Sequence, residues 1–299
     1  MLSVIVPCKN EQDAIAPFYQ ELIKHLKTIN TSYELIFVDD GSTDNTLNEM
    51  IKVKKHNRST KVLSFSRNFG KEAALLAGLE AAKGGYVVVM DVDLQDPPSL
   101  LKEMYKELQK GEYDCIGTRR VTRKGEPPIR SFFARCFYRL INKFITFEIV
   151  DGARDYRMMT RKMVDAILSV KEYHRFSKGI FSWVGFKTKY IEYENIERVN
   201  GETKWSFWAL LKYAIEGIVS FSTFVLILPF LFSLLVFVFA IIYLIVSINI
   251  GFTDLSIIIL IISLFTCLVF LTIGFIGQYV GRTFVQSKNR PIYIIKDRY

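Results

Sequence analysis

The sequence is poor in the residues that staple small folds or clamp structural metals. It has four cysteines in 299 residues (Cys8, Cys115, Cys136 and Cys267), with no C-x-x-C pairing, and only three histidines. This argues against a disulfide framework and against a structural zinc site, and it fits unpaired thiols in a reducing compartment. Charge is missing from one long stretch. Between Phe221 and Gly281 there is no Lys or Arg, and Asp254 is the one carboxylate. The net charge of +9 therefore sits on the residues to either side.

Within that stretch, Phe224–Ile248 and Leu255–Ile276 are uncharged, and each exceeds the roughly 20 apolar residues that cross a bilayer core. The short linker NIGFTD between them predicts a transmembrane hairpin with both ends on one side. The linker carries no positive residue, whereas the tail carries Arg282, Lys288, Arg290, Lys296 and Arg298 against Asp297. The positive-inside tendency then puts both termini in the cytoplasm of a cell-membrane protein. The N-terminus, MLSVIVPCKNEQ, lacks a charged n-region, and its apolar run is too short for a signal peptide. Nucleic acid is not expected as a partner. The basic residues cluster beside the apolar spans, where membrane phospholipid is the nearer polyanion.

The first 120 residues alternate strand-like and helix-like runs. Strands are predicted at Leu2–Val6, Glu34–Val38, Lys61–Phe65, Tyr86–Met90 and Asp114–Gly117, with helices at about 12–27, 43–56, 70–82 and 99–110. Such alternation with short connections implies an α/β, Rossmann-like, mostly parallel sheet that binds ligands beyond the carboxyl ends of its strands. The first four strands run into PCKNE, DDGS, SRNFG and DVDLQD. Any one of these is an ordinary turn composition; four at one rim predict a site.

The fourth of these segments concentrates charge. YVVVMDVDLQDPPSL places Asp91, Asp93 and Asp96 within six residues after an apolar run. If the strand continues, Asp91 and Asp93 point the same way. Crowded carboxylates with no nearby His or Cys favour Mg2+ or Mn2+, and Mg2+ is commonly held by one or two carboxylates plus substrate phosphates. A metal-bound diphosphate would relieve the repulsion. Arg67 and Asn68 directly follow a strand and are further site candidates, while Lys71 either caps the diphosphate or begins a helix. Beyond Thr118 the pattern weakens. TRRVTRKGEPPIR reads as a mobile basic loop, and SFFARCFYRLINKFITF and Ser206–Phe221 read as amphipathic helices suited to a bilayer surface.

Taken together, VIVPCKNEQ, FVDDGSTDNT, SRNFGKEAALLAGLEAAKGGYVVVMDVDLQDPP, DGARDYRMMTR, RFSKGIFSWVGF, RVNGETKWS and QSKNRPIY resemble the family 2 glycosyltransferases that charge a polyprenyl phosphate. They are closest to the bacterial undecaprenyl-phosphate enzymes with two carboxy-terminal membrane helices, and dolichyl-phosphate mannose synthases are more distant cousins. The resemblance implies a GT-A fold and inverting transfer of one hexose or N-acetylhexosamine from a nucleotide-diphosphate sugar, UDP-linked by expectation, to undecaprenyl phosphate. It further implies that Pro7, Asn10 and Glu11 line the nucleotide pocket and that Asp39 and Asp40 contact base or ribose. Asp91, Asp93 and Gln95 are placed around the metal and diphosphate, Asp155 at the catalytic carboxylate position, and Arg198 and Lys204 on phosphates.

Arg119 and Arg135 are expected to meet the lipid phosphate. Asp155 is expected to act as a geometric or electrostatic element, or as an Arg157 partner, more than as a base; a turn Asp capping the region of Thr160 is the plainer alternative. Relatives also suggest a homo-oligomer, a tetramer. The expected organisation is a nucleotide-sugar-binding core at 1–120, acceptor-binding and interfacial helices at 121–222, the membrane hairpin at 223–281 and a basic cytoplasmic tail at 282–299. A processive polysaccharide synthase and a catalytically silent membrane-tethered binding protein are the competing readings. The first lacks its Q-x-x-R-W element here, and the second sits poorly with a full set of carboxylates.

Overall fold

The computed structural model describes residues 1–120, 142, 147–193, 235, 238, 239, 242 and 255–299. The chain divides into two compact units, Met1–Lys212 with Pro291–Tyr299, and Tyr213–Arg290.

The first unit is built on an eight-stranded sheet: β1 (Leu2–Cys8), β2 (Tyr33–Asp39), β3 (Thr60–Phe65), β4 (Tyr86–Val89), β5 (Cys115–Arg120), β6 (Ala153–Thr160), β7 (Thr188–Tyr193) and β8 (Ile295–Arg298). Their order across the sheet is β7-β5-β6-β4-β1-β2-β3-β8. The centre is parallel, with Val4 level with Leu35 and Val88, and all three are fully buried. Strands covered on both faces read as continuous apolar runs, as LSVIVPC and YVVV do. Two strands run against the rest: β6 lies antiparallel between β4 and β5, and β8 pairs antiparallel with β3.

Helices α1 (Gln12–Lys27), α2 (Thr46–His56) and α4 (Leu101–Gln109) bury Phe18, Leu22, Met50, Met104 and Leu108 in one core with β1, β2 and β4. Helix α3 (Lys71–Ala81) is buried along Ala73–Leu79, and a Cβ added at Gly78 would sit 2.2 Å from Ile5 Cγ2. Small residues let this helix approach β1 closely. Helices α5 (Arg161–Ser169) and α6 (Ser177–Trp183) are the remaining helices of this unit among the described residues.

Several expected boundaries shift. Strand β5 runs on through Thr118–Arg120, which the composition assigned to the basic loop, because it pairs with both β6 and β7. Residues 43–45 form the turn ahead of α2, and a single 3-10 turn at Pro98–Leu100 precedes α4. The expected basic tail ends as a strand: β8 covers the edge of β3, where Tyr293 stacks on Phe65 at 5.0 Å and donates to Glu80. Alternating charges at Lys296, Asp297 and Arg298 hid this strand from an apolar-pattern reading.

In the second unit, α7 (Leu255–Ser287) runs past the expected end at Ile276. It holds the one helix, Leu264–Ser287, that among the described residues is long and apolar enough to cross a membrane. The other predicted span, Phe224–Ile248, lies outside the described residues except for Leu235, Val238, Phe239 and Ile242, which are helical and exposed. The basic loop after Arg120 and both amphipathic stretches also fall outside, apart from Asn142 and Phe147.

Candidate active site

The carboxyl ends of β1–β4 are knitted together by short side chains. Asn10, at φ +53°, donates its amide N–H to Ser42 Oγ at 3.0 Å and accepts from Thr43 N at 2.9 Å. The Glu11 amide donates to Thr46 Oγ1 at 2.8 Å. These bonds join the turn after β1 to the turn after β2. Asp39 accepts from Ser42 N and Ser64 Oγ, both at 3.0 Å. Asp40 accepts from Phe69 N at 2.7 Å and from Gly70 N, so it ties the turn after β2 to the turn after β3. Burial pushes the Asp40 carboxyl above its ordinary value despite those donors. Gly41 is required at the crossing. Its φ is +63°, and a Cβ there would lie 2.4 Å from the Arg67 carbonyl carbon.

Arg67 lies 4.3 Å over the Phe69 ring and donates to Asn68 O, while Asn68 Oδ1 accepts from Gly70 N. Pro7 is partly exposed at the end of β1. The rim turns are thus held chiefly by one another.

Strand β4 does not continue through the D-x-D segment as supposed. It ends at Val89, and the chain turns, with Leu94 at φ +58°. Asp93 Oδ1 accepts from the Gln95 amide at 3.2 Å. Asp91 turns elsewhere: Lys71 Nζ, from the first residue of α3, stands 2.8 Å from Asp91 Oδ1 and 2.8 Å from Asp155 Oδ2 on β6. The rim therefore carries its own cation. Burial works against an ionised Asp155, but Lys71, backed by Lys178 and Arg157, outweighs it and holds the carboxyl well below the ordinary range. Asp155 is a strand residue and caps nothing; Thr160 itself caps α5, accepting from Met163 N. Arg157 donates to Arg154 O and lies 3.9 Å over Phe181 on α6, so the cation bonded to Asp155 is Lys71.

Behind the D-x-D turn, Asp96 is fully buried. It accepts from Asp91 N at 3.3 Å and from Tyr193 Oη at 3.2 Å, and it faces Arg154 Nε at 3.5 Å. Burial pushes its carboxyl up to about 6, against the pull of Arg154. Arg154 also reaches Gln95 Oε1 at 3.4 Å. On the far side of Lys71, Glu72 accepts from Ser177 N at 2.9 Å and from Ser177 Oγ. Burial, with the Asp155 charge adding, pushes the Glu72 carboxyl up to about 7.

The structure thus brings Asp91, Lys71 and Asp155 together, with Asp93 and Gln95 on the adjoining turn. Arg119 lies apart on β5, where it donates to Asp151 O at 3.1 Å and meets Glu192 at 3.5 Å. Arg135, Arg198 and Lys204 lie outside the described residues. Sequence reasoning did not single out Glu72, Arg154, Ser177, Lys178 or Tyr193 for the site, and it noted Asp96 only as part of the acidic crowd. Glu72 had a signal available, as a carboxylate in the first turn of a helix that continues with the apolar run Ala73–Leu79. Cys8 and Cys115 are buried and unpaired.

Asp91, Asp93 and Gln95 offer partly exposed oxygen donors. No group of three His, Cys, Asp or Glu suited to a metal is assembled among the described residues. The oxygens of Asp91, Asp93 and Gln95 are of the hard type that Mg2+ or Mn2+ takes, and Lys71 and Arg154 already engage Asp91 and Gln95.

Residues 3–168 match the glycosyl transferase family 2 model. The chain is 40% identical over 307 residues to CsbB of Bacillus subtilis (strain 168), a provisionally named glycosyltransferase, covering 99% of this chain and 92% of that protein. It is 36% identical over 305 residues to the bactoprenol glucosyl transferase of Shigella phage SfV, covering 99% and 98%. In fold it is similar to mannosyl-3-phosphoglycerate synthase from Rubrobacter xylanophilus, with a TM-score of 0.55 at 16% identity over 74% of this chain and 72% of that one. With the match spanning the whole rim from β1 to β6, the chain belongs to glycosyl transferase family 2.

Proposed function

We propose that this glycosyltransferase moves one hexose or N-acetylhexosamine, glucose being favoured, from a UDP-linked donor to undecaprenyl phosphate at the cytoplasmic membrane face, with inversion. The observation that carries the reading is the end-to-end similarity to a protein named bactoprenol glucosyl transferase, bactoprenol being a polyprenol.

In the transfer, an oxygen of the acceptor phosphate bonds to the anomeric carbon while the bond from that carbon to the nucleoside diphosphate breaks. The leaving electron pair settles on the diphosphate. A phosphate monoester has its second pKa near ~6, so the acceptor is largely dianionic at neutral pH and no proton need be removed. Asp155 suits this chemistry. A carboxylate held strongly ionised by Lys71 is a poor proton acceptor, and a general base works best with a pKa near the working pH. Asp155 instead anchors the ammonium of Lys71 beside Asp91, and that positive charge would offset the negative charge gathering on the departing diphosphate.

Asp91, Asp93 and Gln95 would hold Mg2+ or Mn2+ with the diphosphate. The ion, when bound, offsets the charge of the leaving group. Pro7, Asn10, Glu11, Asp39 and Asp40 frame the nucleotide end of the rim, and Arg119, Arg135, Arg198 and Lys204 are assigned to the acceptor phosphate. Helix α7 and the apolar stretch Phe224–Ile248 are assigned as the two membrane spans that would anchor the chain at the bilayer holding its lipid substrate.

Membranes carrying the chain, supplied with undecaprenyl phosphate and a panel of radiolabelled UDP-sugars, test this. One donor should label the lipid fraction. Failure of every donor would falsify the reading.

A further inference from the structure

Lys71 and Glu72 are neighbours at the start of α3, and their side chains fork. Lys71 reaches Asp91 and Asp155, while Glu72 reaches Ser177, 105 residues away at the start of α6. The Glu72–Ser177 contact is double. One carboxylate oxygen accepts both the backbone N–H of Ser177, at 2.9 Å, and its hydroxyl. Ser177 is buried, and the next residue, partly exposed Lys178, contributes with Lys71 to holding Asp155 ionised. The same short helix is pinned from β6, where the Arg157 guanidinium lies 3.9 Å over Phe181. Upstream of it, Arg175 donates to Val170 O at 2.5 Å and to Ile167 O. Glu72 thus ties the helix that presents Lys71 to the helix that carries Lys178.

A partly buried carboxylate beside Asp155 is costly. Its own carboxyl is pushed up to about 7, with burial first and the Asp155 charge also contributing. An apolar residue would pack against the neighbouring alanines and leucines of α3 without that cost. What a carboxylate adds is two bonds to one residue.

We propose that Glu72 is a positioning residue of the sugar transfer: by fixing Ser177 it holds the start of α6, and with it Lys178, against the start of α3 that presents Lys71 to Asp155. The inference rests on the transfer reaction proposed above. Lys71 and Lys178 then sit at the starts of two helices that one carboxylate ties together. Glu72 touches neither donor nor acceptor and acts through Lys178, so its loss registers in turnover more than in donor affinity.

The test is kinetic, on the purified full-length chain with UDP-sugar and undecaprenyl phosphate, comparing Glu72→Ala, Glu72→Gln, Ser177→Ala and Lys178→Ala. A displaced reactive group costs on the order of 10- to 100-fold, so Glu72→Ala should lose about that in kcat while donor KM stays within about threefold. Glu72→Gln keeps an acceptor for the Ser177 amide and should retain at least about a third of parental kcat. In a Lys178→Ala background, Glu72→Ala should cost less than about threefold more, because residues acting as one unit are not additive. Ser177→Ala, which deletes one hydroxyl, should show the same dependence on Lys178 and carries the test if Glu72→Ala does not fold. Parental kcat in Glu72→Ala, or an equal loss with and without Lys178, overturns the assignment. A parent chain that glycosylates no polyprenyl phosphate overturns both this and the reaction it rests on, whereas an active parent with an unaffected Glu72→Ala overturns this assignment alone.

Discussion

The ammonium of Lys71 stands 2.8 Å from an oxygen of Asp91 and 2.8 Å from an oxygen of Asp155, joining the turn after β4 to β6 across the start of α3. Two carboxylates that would otherwise repel each other share one resident cation. The carboxylate crowd at this rim is therefore relieved in part before any ligand arrives. An incoming metal-bound diphosphate meets a site whose charge balance is already partly set.

Lys71→Met leaves both carboxylates without that cation while keeping the length of the side chain. Losing a preorganised charge at a site of developing charge costs on the order of 10²- to 10³-fold in kcat. Steady-state rates at saturating donor and acceptor check this, and a variant within twofold of the parent contradicts the placement of Lys71.

Asp93 is the partly exposed member of the acidic turn that Lys71 does not hold, and its Oδ1 accepts from the Gln95 amide. Asp93→Asn should raise the Mn2+ concentration for half-maximal rate by about tenfold or more, because a neutral amide is a weaker ligand for a hard cation. A metal titration reads this directly. An unchanged midpoint removes Asp93 from the metal set.

Glu72 gives a pH dependence with a definite sign. Burial first, and the Asp155 charge after it, push its carboxyl up to about 7, above the unfolded value near ~4.3. The folded chain holds that proton more tightly, so the group's contribution is fully present below the unfolded value and is lost as pH rises through about 7. Glu72→Gln is neutral throughout and lacks this loss. Its Tm relative to the parent should rise between pH 5 and pH 8, and thermal melts at the two values decide it.

Tyr293 stacks on Phe65 at 5.0 Å and reaches Glu80 on α3, just ahead of β8. Tyr293→Ala removes an aromatic pair and a hydroxyl contact and should cost about 1–3 kcal/mol by denaturant unfolding. Deleting 291–299 uncovers the edge of β3 and should promote association visible by light scattering.

The sheet was legible because its parallel strands are continuous apolar runs such as Ile5–Val6 and Val87–Val89, buried on both faces. The rim was legible because Asp, Asn and Gly gather after each run. What stayed hidden depends on long-range placement. Spacing alone cannot show that Lys71 meets Asp155, 84 positions later, nor that Glu72 meets Ser177. The D-x-D reading assumed a continuing strand, whereas Leu94 at positive φ turns the chain and sends Asp91 and Asp93 to different partners. Strand β8 escaped because alternating charges at an edge carry little apolar signal.

Stereochemistry and stoichiometry of the product test the central claim most directly. Purified full-length chain, UDP-glucose, undecaprenyl phosphate and Mn2+ should yield one glucose per lipid phosphate with the anomeric configuration inverted, and EDTA should abolish the product. A retained configuration, a multiply glycosylated lipid, or full turnover in EDTA would contradict it.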